Sequence, residues 1–327
     1  MYQCKACDPS ALYYQIHFSG KENLHHIPQI RTYLEKNKLL INGSNDGLVV
    51  KEAAVAGLFD YFSDNMNLKD ISFRIDERDW KPIQEVLDLL EFQWIDTVIL
   101  EQLVTCHIQA IVDTEEQVYA YEMLSRFEDN SGRAWAPYHV FSAAKKRNRM
   151  YALDRVCRMT AVRSAAMVDK KVFINFIPTS IYSPEHCLKS TVQLADQLGI
   201  EPSRFVFEVV ETERVTDLEH LKRILIYYRE KGFHYALDDV GEEFSTVEVL
   251  EQLAPHYMKL DMKFVQGISS DPVKQIVSRN IWKSAVQVGA IPLAEGIEDR
   301  DDFVWLKKCG YKLFQGYLFG KPAPIRA

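Results

Sequence analysis

From about residue 170 onward, short apolar runs alternate with longer stretches whose apolar residues recur three and four positions apart. The runs are KVFINF, RFVFEVV, HYALDDV, YMKLDM, AIPLAEGI and KLFQGY, and the stretches include TDLEHLKRILIYYREKG and DDFVWLKKCG. Runs of this length suit buried strands, and the 3.6-residue period suits helices lying on them. Their alternation predicts successive βα units with parallel strands. Gly232, Gly289 and Gly310 each follow a helical stretch just before a strand, where a helix C-cap is expected. Two further strands, around CHIQAIVD and VYAYEMLSRF, precede a helical region from about Pro137 to Lys170. Eight strands favour a closed (β/α)8 barrel over an open sheet.

Residues 1–99 lack this alternation. Their strand candidates are LYYQIHFS, LLIN and DISFRID, and their helical candidates are IPQIRTYLEKN, KEAAVAGLFDYFSDNM and DWKPIQEVLDLLEF. The expected organisation is therefore a separate small α/β domain over 1–99, with a possible regulatory role, followed by the barrel over 100–327. Deleting the first domain is expected to leave the barrel folded.

Composition narrows the partners. The formal net charge of -7 argues against a long DNA or RNA polymer, whose phosphates demand a basic surface. The longest apolar stretch, LEFQWIDTVILEQLVTCHIQAIVD, is broken by Glu91, Asp96 and Glu101, so no membrane span is expected. The opening residues lack a signal-peptide pattern, which points to the cytoplasm. Cys4 and Cys7 form a lone CxxC, half of a zinc site, and read better as part of an ordinary tail.

Polar residues interrupt the strand-like runs in a consistent way. Glu122, Asn175, Glu208, Asp238 with Asp239, Lys259 with Asp261, Glu295 and Gln315 all lie in or at the ends of different runs. Any one alone is more commonly a solvated surface group. As a set they fall where such barrels carry their chemistry, at the C-terminal ends of the strands. The two-residue period of a strand turns several inward, and buried carboxylates need partners. Oxygen donors without histidine or cysteine suit a hard cation, Mg2+ or Mn2+. Four or five carboxylates suffice for two ions, with Asp238 able to bridge them, and two metals favour in-line displacement at phosphorus. Hydrolysis of a phosphate ester follows as the expected reaction. Lys259 would orient or help deprotonate the attacking water, or offset charge, unless it simply pairs with Asp261.

The ordered blocks YEMLSR, FINFIP, FEVVE, LDDVG, MKLD, AEGIE and QGYLFGKP strongly resemble the EAL domain of bacterial cyclic di-GMP phosphodiesterases, over about residues 100–327. The resemblance implies a TIM-like barrel, usually a homodimer, that cleaves cyclic di-GMP to linear 5'-pGpG with Mg2+ or Mn2+ and is inhibited by Ca2+. It makes Glu122, Asn175, Glu208, Asp238 and Asp239 metal ligands, and Lys259, Glu122, Asp239 and Glu295 the catalytic set. Arg126 and Gln315 match residues on the ligand side, and Glu211 matches the glutamate that steadies the loop after the paired aspartates. That loop departs from the family's DDFGxGxS, since this chain reads DDVGEEFS. A glutamate, Glu243, replaces the second glycine, and Glu242 adds another negative charge in a loop that links the metal site to the dimer interface. A catalytically weak module acting as a cyclic di-GMP receptor or adaptor is the alternative that this departure raises.

Overall fold

The computed structural model describes residues 12–75, 79–129, 131–209, 218–238 and 247–325. Cys4, Cys7, Glu211, Asp239, Glu242 and Glu243 lie outside the described residues. The chain forms two compact units: one runs to Gln102 and includes Tyr138–Ala152, and the other comprises Leu103–Pro137 and Leu153–Ala327.

In the first unit, β1 (Tyr13–Phe18), β2 (Leu40–Gly43), β3 (Gly47–Lys51), β4 (Ile71–Ile75) and β5 (Lys81–Pro82) form an antiparallel sheet in the order β2-β3-β1-β4-β5. The inward positions of β1, Tyr14, Ile16 and Phe18, alternate with more exposed ones, as a half-buried strand requires. They pack with residues of the helices Ile27–Lys36 and Val55–Asn65, among them Ile30, Leu34, Leu58 and Phe62. At the centre lies Arg147, wholly buried on the helix Pro137–Arg147. Its guanidinium donates to Asp96 Oδ2 from Nε at 3.0 Å and to the Leu89 carbonyl at 3.0 Å, and it pairs with Glu52 at 2.6 Å. Arg149 binds the other oxygen of Asp96 at 2.6 Å.

The second unit is an eight-strand closed barrel. Its strands are β6 (Val104–Val112), β7 (Val118–Glu128), β9 (Lys171–Phe176), β10 (Phe205–Val209), β11 (His234–Leu237), β12 (Tyr257–Leu260), β13 (Ile291–Ala294) and β14 (Leu313–Gln315). The ring runs β6-β14-β13-β12-β11-β10-β9-β7 and closes through β7 and β6. Two short strands, β8 (Ala134–Trp135) and β15 (Ala323–Pro324), pair with β7 and β6. The six strand-like runs after residue 170 all appear as predicted. The three glycines expected at helix ends have left-handed φ of 81°, 77° and 112°. β6 departs from the parallel pattern of the later strands and is antiparallel to both neighbours. Only Asp113–Gln117 join β6 to β7, a hairpin held by Asp113 Oδ1 accepting from the amides of Glu115 and Gln117. Parallel neighbours need a crossover of a dozen or more residues, which this connection lacks.

At the N-terminal ends of β11 and β12, the imidazoles of His234 and His256 stack 4.2 Å apart, and the Tyr235 amide donates to His256 Nδ1 at 3.3 Å. Burial, reinforced by His234, pushes His256 down to about 4. A folded-state value below that of the unfolded chain means stability is full above pH ~6.5 and falls as pH drops toward the folded value. His256→Asn, whose Oδ1 can accept the same bond, is expected to flatten this acid-side loss. Melting curves at pH 7.5 and 5.5 test it, and an unchanged pH dependence would contradict the assignment.

Candidate active site

The interior of the barrel is ordered in layers. One cluster contains Ile111, Ala120, Phe173, Val206, Ala236, Tyr257, Leu293 and Leu313, one apolar residue from each of the eight strands. Side chains two apart on a strand share a face. One such step toward the barrel's C-terminal mouth reaches Glu122, Asn175, Glu208, Asp238, Lys259, Glu295 and Gln315 in turn. On β6, which runs the other way, the same step leads back from Ile111 to Gln109. Every strand thus places one polar residue on the apolar floor.

Hydrogen bonds join half of this ring. Asn175 Nδ2 donates to Glu122 Oε1 at 2.9 Å, and Gln315 Nε2 donates to Glu122 Oε2 at 2.6 Å and to Gln109 Oε1 at 3.1 Å. Gln109 Nε2 donates in turn to the Gly320 carbonyl at 3.0 Å. The chain leaves Gln315 through Gly316, where a Cβ would lie 2.0 Å from the Ile297 carbonyl oxygen, so only glycine fits that close approach. The other half of the ring is ionic. The Lys259 ammonium lies 2.8 Å from Glu208 Oε1 and 3.5 Å from Asp238 Oδ2, and it also contacts Glu295. The alternative, a simple pairing of Lys259 with Asp261, is not made: Asp261 caps the short helix Met262–Val265 through the Lys263 amide.

Among the described residues of the ring, four carboxylates surround one ammonium, so the carboxylates outnumber the cation. The consequences differ by position. Burial raises the carboxyl of Glu208 well above its ordinary range, and Glu122 and Asp238 add to this against the pull of Lys259. Burial acts the same way on Glu122, but Lys259 and the amides of Asn175 and Gln315 outweigh it and hold that carboxyl low. For Lys259, burial opposes the charge, yet Asp238, Glu208 and Glu122 prevail and raise its value. In the metal-free site Lys259 therefore keeps its proton and offsets the surrounding carboxylate charge.

A divalent cation fits this set by chemistry. Among the described residues no three acidic, histidine or cysteine side chains already converge as a metal cage; the ammonium of Lys259 is drawn in among the carboxylates. Among the described residues, Glu208 Oε2 and Gln315 Oε1 are buried without a hydrogen-bond partner, an arrangement that costs free energy until a donor or cation arrives. All the donors are oxygen, which favours Mg2+ or Mn2+. Without a divalent ion, Glu208→Gln is expected to change the melting temperature little near neutral pH and to raise it in alkaline solution, because burial already favours the neutral carboxyl and the amide cannot ionise. With Mn2+, the wild type is expected to gain more than the variant. Equal gains in a thermal-shift titration would exclude Glu208 as a ligand.

Arg126 lies on β7, four residues beyond Glu122 and on the same face, toward the C-terminal end. Its Nη1 donates to the Ser125 carbonyl at 2.9 Å. The remaining sequence-derived candidates, Asp239, Glu211, Glu242 and Glu243, fall outside the described residues. Gln109 was absent from the sequence reading, although the signal existed: seven strands each supplied one inward polar residue, and the eighth strand owed another.

Comparison with known proteins places this arrangement. Residues 94–322 match the EAL domain. The chain belongs to the EAL domain family. An EAL-domain protein of Bacillus subtilis, YkuI, is 29% identical over 223 residues, covering 66% of this chain and 54% of YkuI. The cyclic di-GMP phosphodiesterase PdeR of Escherichia coli is 25% identical over 248 residues, covering 73% of this chain and 37% of PdeR. The matches thus span about half or less of these relatives. Among solved structures, a standalone EAL protein from Vibrio cholerae in its c-di-GMP-bound form aligns with a TM-score of 0.59 at 33% identity, covering 67% of this chain and 92% of that one. Among the described residues, no helix of this EAL protein is long and apolar enough to cross a membrane.

Proposed function

We propose that the barrel hydrolyses one phosphodiester of cyclic di-GMP to linear 5'-pGpG with the help of Mg2+ or Mn2+. The observation that carries this reading is the polar ring, with its excess of carboxylates and its unpartnered buried oxygens, in a chain whose family includes cyclic di-GMP phosphodiesterases. Glu122, Asn175, Glu208 and Asp238 would hold the metal, together with Asp239, and two ions match the charge available. The metals, when bound, supply charge to the attacking and leaving oxygens. Asn175 and Gln315 fix both oxygens of Glu122, so that carboxylate is presented in one orientation. Lys259, fully buried and protonated, directs a fixed positive charge into the mouth, where it orients water and offsets the build-up of charge on phosphate. Arg126 offers a planar donor fork to a ligand phosphate. A homodimer acting in the cytoplasm completes the reading.

The DDVGEEFS sequence motivates a second reading, a receptor or adaptor that binds cyclic di-GMP with little turnover. One experiment separates the two. Purified protein is incubated with cyclic di-GMP and Mn2+ or Mg2+, products are resolved by chromatography, and binding is titrated in Ca2+. The proposal expects pGpG to accumulate, Ca2+ to stop turnover, and Glu122→Ala to lower the rate by at least about 100-fold. Tight binding without pGpG would replace it with the receptor reading, and Glu122→Ala at full rate would remove the metal assignment.

A further inference from the structure

Behind the C-terminal end of β9 lies an ion pair that the ring does not include. Asp154 and Arg158 stand one turn apart on the helix Met150–Ser164, and only 4% and 2% of their surfaces are exposed. They contact each other through Asp154 Oδ2 and Arg158 Nη1. Arg158 Nε also donates to Thr191 Oγ1 at 3.2 Å, on the neighbouring helix Lys189–Gln197. The other oxygen of Asp154 accepts the backbone amide of Ile177 at 2.9 Å. Ile177 is the first residue past β9 and lies two residues beyond Asn175, whose side chain donates to Glu122. The Ile177 carbonyl then accepts from both the amide and the hydroxyl of Ser180, which closes a tight turn.

A buried ion pair is a poor source of net stability, because desolvation offsets most of the attraction. A geometric role accounts better for charge at this place. The amide that Asp154 holds belongs to the backbone that aims Asn175, and metal-site donors must be held to within about half an ångström. Arg158 prevents the carboxylate from turning away, and Thr191 prevents the guanidinium from swinging out. We propose that Asp154 is a positioning residue for Asn175, acting through the Ile177 amide and itself held by Arg158. This rests on the reading of Asn175 as a metal ligand. The helix also begins with Met150–Ala152, which belong to the first unit, so Asp154 is the second residue past the point where the chain re-enters the barrel unit.

The test compares the full-length wild type with Asp154→Ala, Asp154→Asn and Thr191→Val, the last as a control that disturbs the same interior without touching Ile177. Hydrogen exchange of the metal-free proteins reads the hold on the loop. Asp154→Ala is expected to speed exchange of the amides from Asn175 to Ser180 by about tenfold or more. Its Mn2+ half-saturation for cyclic di-GMP hydrolysis is expected to rise about 10- to 100-fold, with KM at saturating Mn2+ little changed. Asp154→Asn, which keeps an oxygen acceptor, is expected to recover part of both effects, and it carries the test if the alanine variant does not fold. Thr191→Val, which only loosens the hold on Arg158, is expected to lower the melting temperature while changing exchange at the loop and the Mn2+ dependence far less than Asp154→Ala does.

Unchanged exchange in Asp154→Ala and Asp154→Asn overturns the proposal. So does faster exchange with unaltered Mn2+ dependence, or an equal effect in Thr191→Val. A wild type that turns over no cyclic di-GMP defeats the functional reading instead; Mn2+ binding is then followed by calorimetry, with the same variants and the same expected order.

Discussion

Lys259→Met is expected to lower hydrolysis by about 10²–10³-fold, the cost of losing one fixed charge or donor aimed at a transition state, and to destabilise the metal-free barrel by about 3–5 kcal/mol. Both effects follow from one arrangement. The ammonium is buried and contacts Glu208, Asp238 and Glu295, with Glu122 also within its field. Removing it leaves like charges facing one another at low dielectric. Two further results are expected. The loss of stability should shrink as pH falls, because protonated carboxyls no longer repel. Mn2+ should restore part of the melting temperature, because a divalent ion replaces the missing charge, whereas the lost turnover should not return. Thermal unfolding from pH 5 to 8 with and without Mn2+, beside the chromatographic assay, measures all of these. A variant more stable than wild type in the absence of metal at pH 8 would sink the account.

Arg147→Met is expected to destabilise the first unit by about 3–5 kcal/mol, a large part of the stability of an ordinary domain. The Arg147 guanidinium meets Asp96, Glu52, the Leu89 carbonyl and the Tyr14 hydroxyl. These partners come from four separate segments of sequence, and methionine would leave the half-buried Glu52 carboxylate without its cation and Asp96 with Arg149 alone. Arg147→Lys is expected to recover only part of the loss, since an ammonium cannot span the same fork. Urea unfolding should show the first transition moving to lower denaturant while the barrel transition, followed by thermal shift with Mn2+, moves much less. The same contacts alter the expectation for truncation. A chain starting at residue 100 retains Arg147 and Arg149 but not Asp96 or Glu52, so it carries two arginines and an apolar helix face prepared for a missing core.

The barrel was legible because its strands are buried on both faces and its helices on one, so that each type of run has its own period. The ring was legible for a related reason: a carboxylate inside an apolar run is conspicuous. Gln109 escaped because β6 runs antiparallel, so its polar residue precedes the floor residue Ile111, and a glutamine is less conspicuous than a charge. In the first unit, the helical pattern of KEAAVAGLFDYFSDNM hides the strand GLVVK, which runs through Lys51; the α-helix begins at Val55. DWKPIQEVLDLLEF was read as one helix, but Pro82 has no amide to donate and the α-helix there spans only Val86–Glu91. The allegiance of Tyr138–Ala152 could not be read from sequence, because an amphipathic helix shows which face is apolar but not which core that face will meet. Nothing in the sequence singles out Arg147, which stands in a run with Lys145 and Lys146.

The threading of the chain bears on how such a protein can be altered by recombination. The first unit takes its residues from two stretches of sequence, with the β6–β7 hairpin between them. A single crossover near residue 100 would give the barrel a new leader while leaving Tyr138–Ala152 fitted to the old one. Exchange of the whole module requires three breakpoints, after residues 102, 137 and 152, so the two units are expected to be inherited together and to change by matched substitutions rather than by shuffling.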